Sequence, residues 1–214
     1  MKITILCSDK NHPIISNLKD WIKLKNDKYE IDLVYEKQSI LSGSILFLIS
    51  CNEIITKDIR KRFDKTFVIH ASNLPHGRGW SPHVWEIING SNHLFVSLLS
   101  AEDKVDSGDI YKKVKIKIEP HELWNEINEK LFKKEIELMD YAISSIDILK
   151  GIKQDSNISP TYYSKRTPND SNIDPSKSIK SQFNKIRIMD PNRYPAFFEL
   201  YGFKYKIHIK KLDE

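Results

Sequence analysis

The stretch "VIHASNLPHGRGWSPHVWEIING", Val68 to Gly90, decides how the rest of the chain is read. A short β-branched run ends in His70. A loop punctuated by Pro75, Gly77 and Gly79 follows, and Ser81-Pro82 opens a segment with helical spacing. Ser81 is the expected N-cap, Pro82 the first helical residue and Gly90 the stop. Strand, rigid loop and helix in that order put an ionisable ring at the carboxyl end of a strand. In an open α/β sheet that is where ligands bind.

Outward from this segment the chain alternates strand and helix patterns. "KITILCS" (2–8), "YEIDLVYE", "SILFLIS" and "TFVIHAS" are short apolar, β-branched runs. Between them "PIISNLKDWIKLK" spaces Ile15, Leu18, Trp21 and Ile22 as a helix does, and "TKDIRKRF" makes a short polar helix. "HLFVSLLSA" and "DIYKKVKIKI" are further strands, the second alternating as a half-exposed or antiparallel strand does. A long helix is expected from about 120 to 150, with Phe132, Ile136, Met139, Ile143 and Ile146 on one stripe. The pattern predicts an α/β fold with an open, mostly parallel, Rossmann-like sheet. After Gly151 the chain turns polar and rich in Pro, Ser and Asn. The composition change places a boundary there: a domain over 1–150 and an extension over 151–214, ending in a short helix and the hairpin "AFFELYGFKYKIHIK", with Gly202 at its turn.

Composition narrows the function classes. The 214 residues are 40% hydrophobic and 29% charged, ordinary for a globular chain that buries one sizeable core. No apolar run reaches the roughly 20 residues of a spanning helix, and the N-terminus lacks a secretory pattern, so a cytoplasmic protein without membrane contact is expected. Cys7 and Cys51 fit reduced thiols rather than a disulfide framework. The net charge of +5 is spread among interspersed acids, which argues against a nucleic-acid groove.

Three chemistries compete for these residues. A phosphate-binding loop needs glycines after the first strand, and "CSDKNHP" has none. A zinc site from His70, His76, His83 and His93 matches no ligand spacing, so no metal is expected. An acid–base pair of His70 and Asp106 fits best. Both sit at strand edges of one sheet, and an aspartate beside an imidazole orients it and stabilises its protonated form.

The run "HASNLP…RGWSPHVWEIING…VSLLSAEDKVDSGDIY" resembles the formyltransferase fold family, whose members take a formyl group from 10-formyltetrahydrofolate. The resemblance covers most of residues 1–118. It implies that His70 and Asp106 are catalytic and that 72–79 is the loop beside them. One departure stands out. The family's catalytic asparagine lies two residues before the histidine, and Val68 is there. Asn73 is the nearby candidate for the missing donor, beside protonated His70 and backbone N–H groups. The co-substrate folate is expected between Ser50-Cys51-Asn52 with Ile54 and the loop carrying Leu99, Ser100, Asp103 and Asp106.

The tail "PTYYSKRTPNDSNIDPSKS…FNKIRIMDPNRYPAFFELYGFKYKI" resembles that of nucleotide-sugar N-formyltransferases. A short tail of this kind, rather than the longer β-barrel of the family's tRNA enzymes, is what the resemblance leads one to expect. The resemblance implies an amino-sugar acceptor, with dTDP-4-amino-4,6-dideoxyglucose, made for a surface polysaccharide (O-antigen), as the one expected. Lys10, Ser72, Asn73, Arg78, Trp80, Tyr162 and Tyr163 are the expected contacts for that acceptor. A tRNA or nucleotide precursor is the alternative acceptor, and a non-catalytic sugar-nucleotide-binding relative is the alternative to an enzyme. The apolar face of the C-terminal hairpin is expected to pair with a second copy, giving a homodimer.

Overall fold

The computed structural model describes residues 1–212. Six strands form one sheet in the order β2-β1-β3-β4-β6-β7. They are β1 (Lys2–Leu6), β2 (Glu30–Val34), β3 (Gly43–Ile49), β4 (Phe63–His70), β6 (His93–Ser100) and β7 (Ile110–Lys117). β1 to β4 run parallel, while β6 pairs antiparallel with both β4 and β7. The mostly parallel α/β sheet expected from the sequence is the one observed.

Period-2 alternation assigns each strand's side chains to two cores. Ile45, Phe47 and Ile49 of β3 face the larger cluster, and Leu46 and Leu48 face the smaller. The larger core is covered by α1 (Ile15–Lys25), α3 (Pro82–Ile88), α4 (Trp124–Ser144) and α5 (Ile179–Ile188). The smaller core holds Ile40, Ile55 and Phe63, with Ile59 of α2 (Lys57–Arg60) packed against it. Helix α1 is fastened to α4 by Trp21, whose indole N–H donates to Asp140 at 2.9 Å. In β4, Phe67 and Ile69 enter the larger core, so Val68 and His70 share the opposite face.

Three sequence expectations change. The long helix ends at Ser144 rather than near 150; the Ser144 hydroxyl bonds back to the Tyr141 carbonyl and competes with the helix ladder. Ser81 does not cap α3 with its side chain, because its backbone is left-handed at φ +44. The boundary at 150 is not one of packing. Ile173, Ile186, Ile188, Met189 and Ala196 all lie in the same core as the sheet.

Residues 151–163 cross the sheet end as a strap. Ile152 and Ile110 exchange backbone bonds of 2.8 and 2.9 Å, and β8 (Tyr162–Tyr163) pairs in parallel with β5 (Arg78–Gly79). The chain closes in the hairpin of β9 (Ala196–Leu200) and β10 (Phe203–Ile207). Its two-residue turn is Tyr201-Gly202, both at positive φ, as a tight hairpin turn between twisted strands requires.

Candidate active site

The carboxyl ends of β1, β3 and β4 and the loop after β6 surround a cavity of about 900 Å³. His70 lines it from the last residue of β4. Its Nε2 lies 2.9 Å from the Gly77 carbonyl oxygen and 3.5 Å from Asp106 Oδ2. A carbonyl can only accept, so Nε2 carries the hydrogen and neutral His70 keeps its basic lone pair on Nδ1. The two side chains are 9% and 8% exposed, which keeps their interaction away from bulk water.

The loop after β4 sets that geometry. Asp106 Oδ2 accepts the backbone N–H of Gly79 at 2.8 Å. Thus Gly77 holds the ring, Gly79 holds the carboxylate, and Arg78 lies between them. Gly79 has φ +95, and a β-carbon there would stand 2.6 Å from the Tyr163 carbonyl oxygen, so only glycine fits. The opposite loop is equally tight. A β-carbon on Gly108 would meet the Ser100 carbonyl oxygen at 1.9 Å. Asp106 is itself left-handed at φ +52, a conformation that aspartate tolerates better than most residues but that its surroundings must maintain.

The expected residues divide clearly. Lys10, Ser50, Cys51, Asn52, Ile54, Trp80, Ser100, Asp103 and Asp106 line the cavity with His70. Leu99 is fully buried beneath it in β6. Asn73 points elsewhere: its amide oxygen accepts from the Lys113 ammonium at 3.0 Å, and it is not a cavity-lining residue. Ser72 is buried under the loop, its carbonyl accepting from the Ser97 hydroxyl at 2.8 Å. Arg78, expected to meet a phosphate, is buried and turned to the strap, donating to Gln154 at 2.6 Å and to the Tyr162 hydroxyl at 3.1 Å. Tyr163 donates to Glu86 at 2.9 Å and stacks on Trp85. Burial, and the Glu86 carboxylate next to it, push its hydroxyl up to about 12.

The sequence reading missed the inner wall. Glu135 of α4 lines the cavity at 5% exposure, and its Oε2 has no hydrogen-bond partner among the described residues. Burial pushes this carboxyl up to about 8, which favours its neutral form in the cavity wall. His12 and His83 share the wall. Burial, then the Arg193 charge, lowers His12 to about 4, and burial lowers His83 to about 3. The wall therefore presents uncharged hydrogen-bonding groups. Only the odd acid on the apolar stripe of the long helix hinted at Glu135. Among the described residues no group of His, Cys, Asp or Glu is arranged to hold a metal ion, and no helix is long and apolar enough to cross a membrane.

Comparison with known proteins gives this geometry a family. The chain is 30% identical over 206 residues to the bifunctional polymyxin resistance protein ArnA of Wigglesworthia glossinidia brevipalpis, covering 90% of this chain and 31% of that one. It spans 31% to 54% of the length of three curated relatives that it matches, this one and two methionyl-tRNA formyltransferases. Among solved structures, the methionyl-tRNA formyltransferase from Clostridium thermocellum superposes with a TM-score of 0.84 at 22% identity, over 100% of this chain and 94% of that one. A sugar N-formyltransferase from Shewanella sp FDAARGOS_354 superposes with a TM-score of 0.75 at 15% identity, over 100% and 99%. At these identities the structures speak for the fold alone. The family model "Formyl transferase" matches residues 15–143, a span that holds both His70 and Asp106, and the chain belongs to the formyl transferase family.

Proposed function

We propose that this protein moves a formyl group from 10-formyltetrahydrofolate to the amine of a nucleotide-linked amino sugar. The folate half is supported by the cavity mouth. Ile54 and Val105, both well exposed, stand on the two loops where the sequence resemblance puts the folate, Ser50–Ile55 and Ala101–Asp106, and offer apolar surface to a flat ring. The folate supplies the formyl carbon and departs as tetrahydrofolate.

The observation that carries the acceptor half is Trp80. It lines the same cavity at 38% exposure, with the Lys165 ammonium 4.9 Å from its ring centre. An open indole beside a cation suits a base and the phosphates attached to it. The other cavity cations are committed: Arg193 to Asp9, and Arg166 to Ser171 and Met189. That leaves Lys10 and Lys165 for a diphosphate. The resemblance of the tail to that of nucleotide-sugar N-formyltransferases supports a sugar, with dTDP-4-amino-4,6-dideoxyglucose as the specific acceptor.

The residues act as follows. The acceptor amine must lose a proton as it joins the formyl carbon, and His70 Nδ1 takes it. Asp106 stabilises the imidazolium so formed, and His70 then returns the proton to the departing nitrogen. Negative charge developing on the formyl oxygen finds an isopropyl group at Val68 and no Asn73 in the cavity, so the protonated His70 Nδ1–H and backbone N–H groups are the donors to meet it.

The test is turnover with 10-formyltetrahydrofolate and a panel of acceptors, reading tetrahydrofolate release. Formylation of the dTDP-linked 4-amino sugar is expected. Formylation of methionyl-tRNA instead overturns the sugar assignment.

A further inference from the structure

Gln154 lies outside the span matched by the family model, on the strap that follows the long helix. Its carboxamide is fully committed. Nε2 donates to the carbonyl oxygens of Asp106 at 2.8 Å and Gly108 at 2.9 Å, and Oε1 accepts from Arg78 Nη2 at 2.6 Å. One side chain therefore joins the loop that carries Asp106 to the residue between Gly77 and Gly79.

We propose that Gln154 is a positioning residue: by tying the Asp106 loop to Arg78 it sets where the Asp106 carboxylate stands relative to His70. The proposal rests on the formyl-transfer reading for its effect on rate, though not for its geometry. Asp106 occupies a left-handed backbone that does not persist without outside support. Gln154 supplies that support at the residue's own carbonyl. Arg78 makes no side-chain bond to the Asp106 loop itself: its guanidinium donates to Gln154 Oε1 and the Tyr162 hydroxyl, and the loop is reached only through the amide. A carboxylate at 154 would keep the bond to Arg78 and set an acceptor against two carbonyl oxygens.

Fastening the strap is not the role of this side chain. The strap is already held on one side by the Ile110–Ile152 backbone pair. On the other side Gly77 N–H donates to Thr161 Oγ1 at 2.8 Å and Arg78 N–H to the Thr161 carbonyl at 2.9 Å. Removing the carboxamide leaves those bonds in place. What it releases is the 106–108 loop.

The experiment uses the full chain as wild type, Gln154→Ala, Gln154→Glu and Asp106→Asn. The backbone amide of Gly79, which donates to the carboxylate, is followed by NMR without any substrate. Its resonance is expected to move in Gln154→Ala and Gln154→Glu toward its position in Asp106→Asn, with faster hydrogen exchange. In turnover, Gln154→Ala is expected to lower kcat about ten- to hundredfold, as a misplaced catalytic group does, with KM for the folate little changed. In an Asp106→Asn background the same substitution is expected to cost under about twofold, because the two act through one group. An unmoved Gly79 amide overturns the proposal, as does an equal loss of kcat in both backgrounds. A wild type that formylates no acceptor counts against the proposed reaction, and the amide signal still decides the role of Gln154.

Discussion

The Gly79 backbone N–H points at Asp106 Oδ2 from 2.8 Å, while the carbonyl of Gly77, two residues earlier, accepts from His70. The two catalytic candidates are thus held by alternate peptide groups of one short loop. At 3.5 Å the direct His70–Asp106 contact is an electrostatic pairing, and the loop fixes its distance.

Replacing His70 by Asn removes the proton carrier and leaves a similar volume at the end of β4. Turnover is expected to fall by about two to four orders of magnitude, with folding and folate binding retained. Asp106→Asn is expected to lower kcat comparably, since a neutral amide cannot stabilise the imidazolium. A variant of either kind with near-normal kcat would remove the residue from the mechanism. A change confined to KM for the acceptor would make Asp106 a substrate contact.

Glu135 gives the folded protein a pH signature. Its carboxyl is raised by burial from 4.5 to about 8, so between these values the folded state holds a proton that the unfolded state has lost. Stability therefore falls as pH rises through that window. His12 and His83 are lowered instead, and their contribution rises with pH up to about 6.5, opposing Glu135 below that point and ending there. From about pH 6.5 to 8 the Glu135 slope, about 1.4 kcal/mol per pH unit for one proton, stands without them. Denaturant titrations across this range are expected to show the slope in the wild type and to lose it in Glu135→Gln. Identical slopes in the two proteins would mean that the carboxyl ionises freely in the folded state.

Ending the chain after Lys150 is expected to expose the core, against the boundary that composition suggests. Ile173, Ile186, Ile188, Met189 and Ala196 would leave apolar surface on α3 and α4 uncovered. The measurement is thermal unfolding beside dye binding to exposed apolar surface. A fragment 1–150 that melts cooperatively near the wild-type temperature and binds no dye would restore the boundary.

The hairpin tip carries Tyr201 at 87% and Phe203 at 67% exposure beside Leu200 and Tyr205, while Ala196 and Ile207 at its base join the core. We propose that a second copy covers the tip. Sedimentation is expected to show a dimer at micromolar concentration and a monomer for the Tyr201→Asp, Phe203→Asp variant. A monomeric wild type, or a dimer indifferent to both charges, excludes this contact.

Strand and helix alternation was legible because it depends on neighbours in sequence. So was the His70–Asp106 pairing, because both residues end or follow strands of one sheet. What the sequence concealed are contacts across long separations. Arg78 looks like a free cation until Gln154, 76 residues later, is found on its guanidinium. Glu135 is an odd acid on the apolar stripe of the long helix until the packing of α4 puts it in a cavity wall. Asn73, nearest in sequence to the missing family asparagine, is drawn away by Lys113 from 40 residues further on. The tail looked separate because its apolar residues are few and widely spaced, and only their joint burial reveals them as core.

The strap also dictates an order of events during synthesis. Asp106 leaves the ribosome's catalytic centre 48 residues ahead of Gln154, a delay of roughly 2 to 10 seconds at about 5–20 residues per second. During that interval the nascent chain already contains both reacting side chains, without the strap residue that grips the backbone of the second. On the proposal made for Gln154, a chain released within it carries the reaction's residues without the bonds that hold the Asp106 loop, so full activity marks only chains translated past the strap.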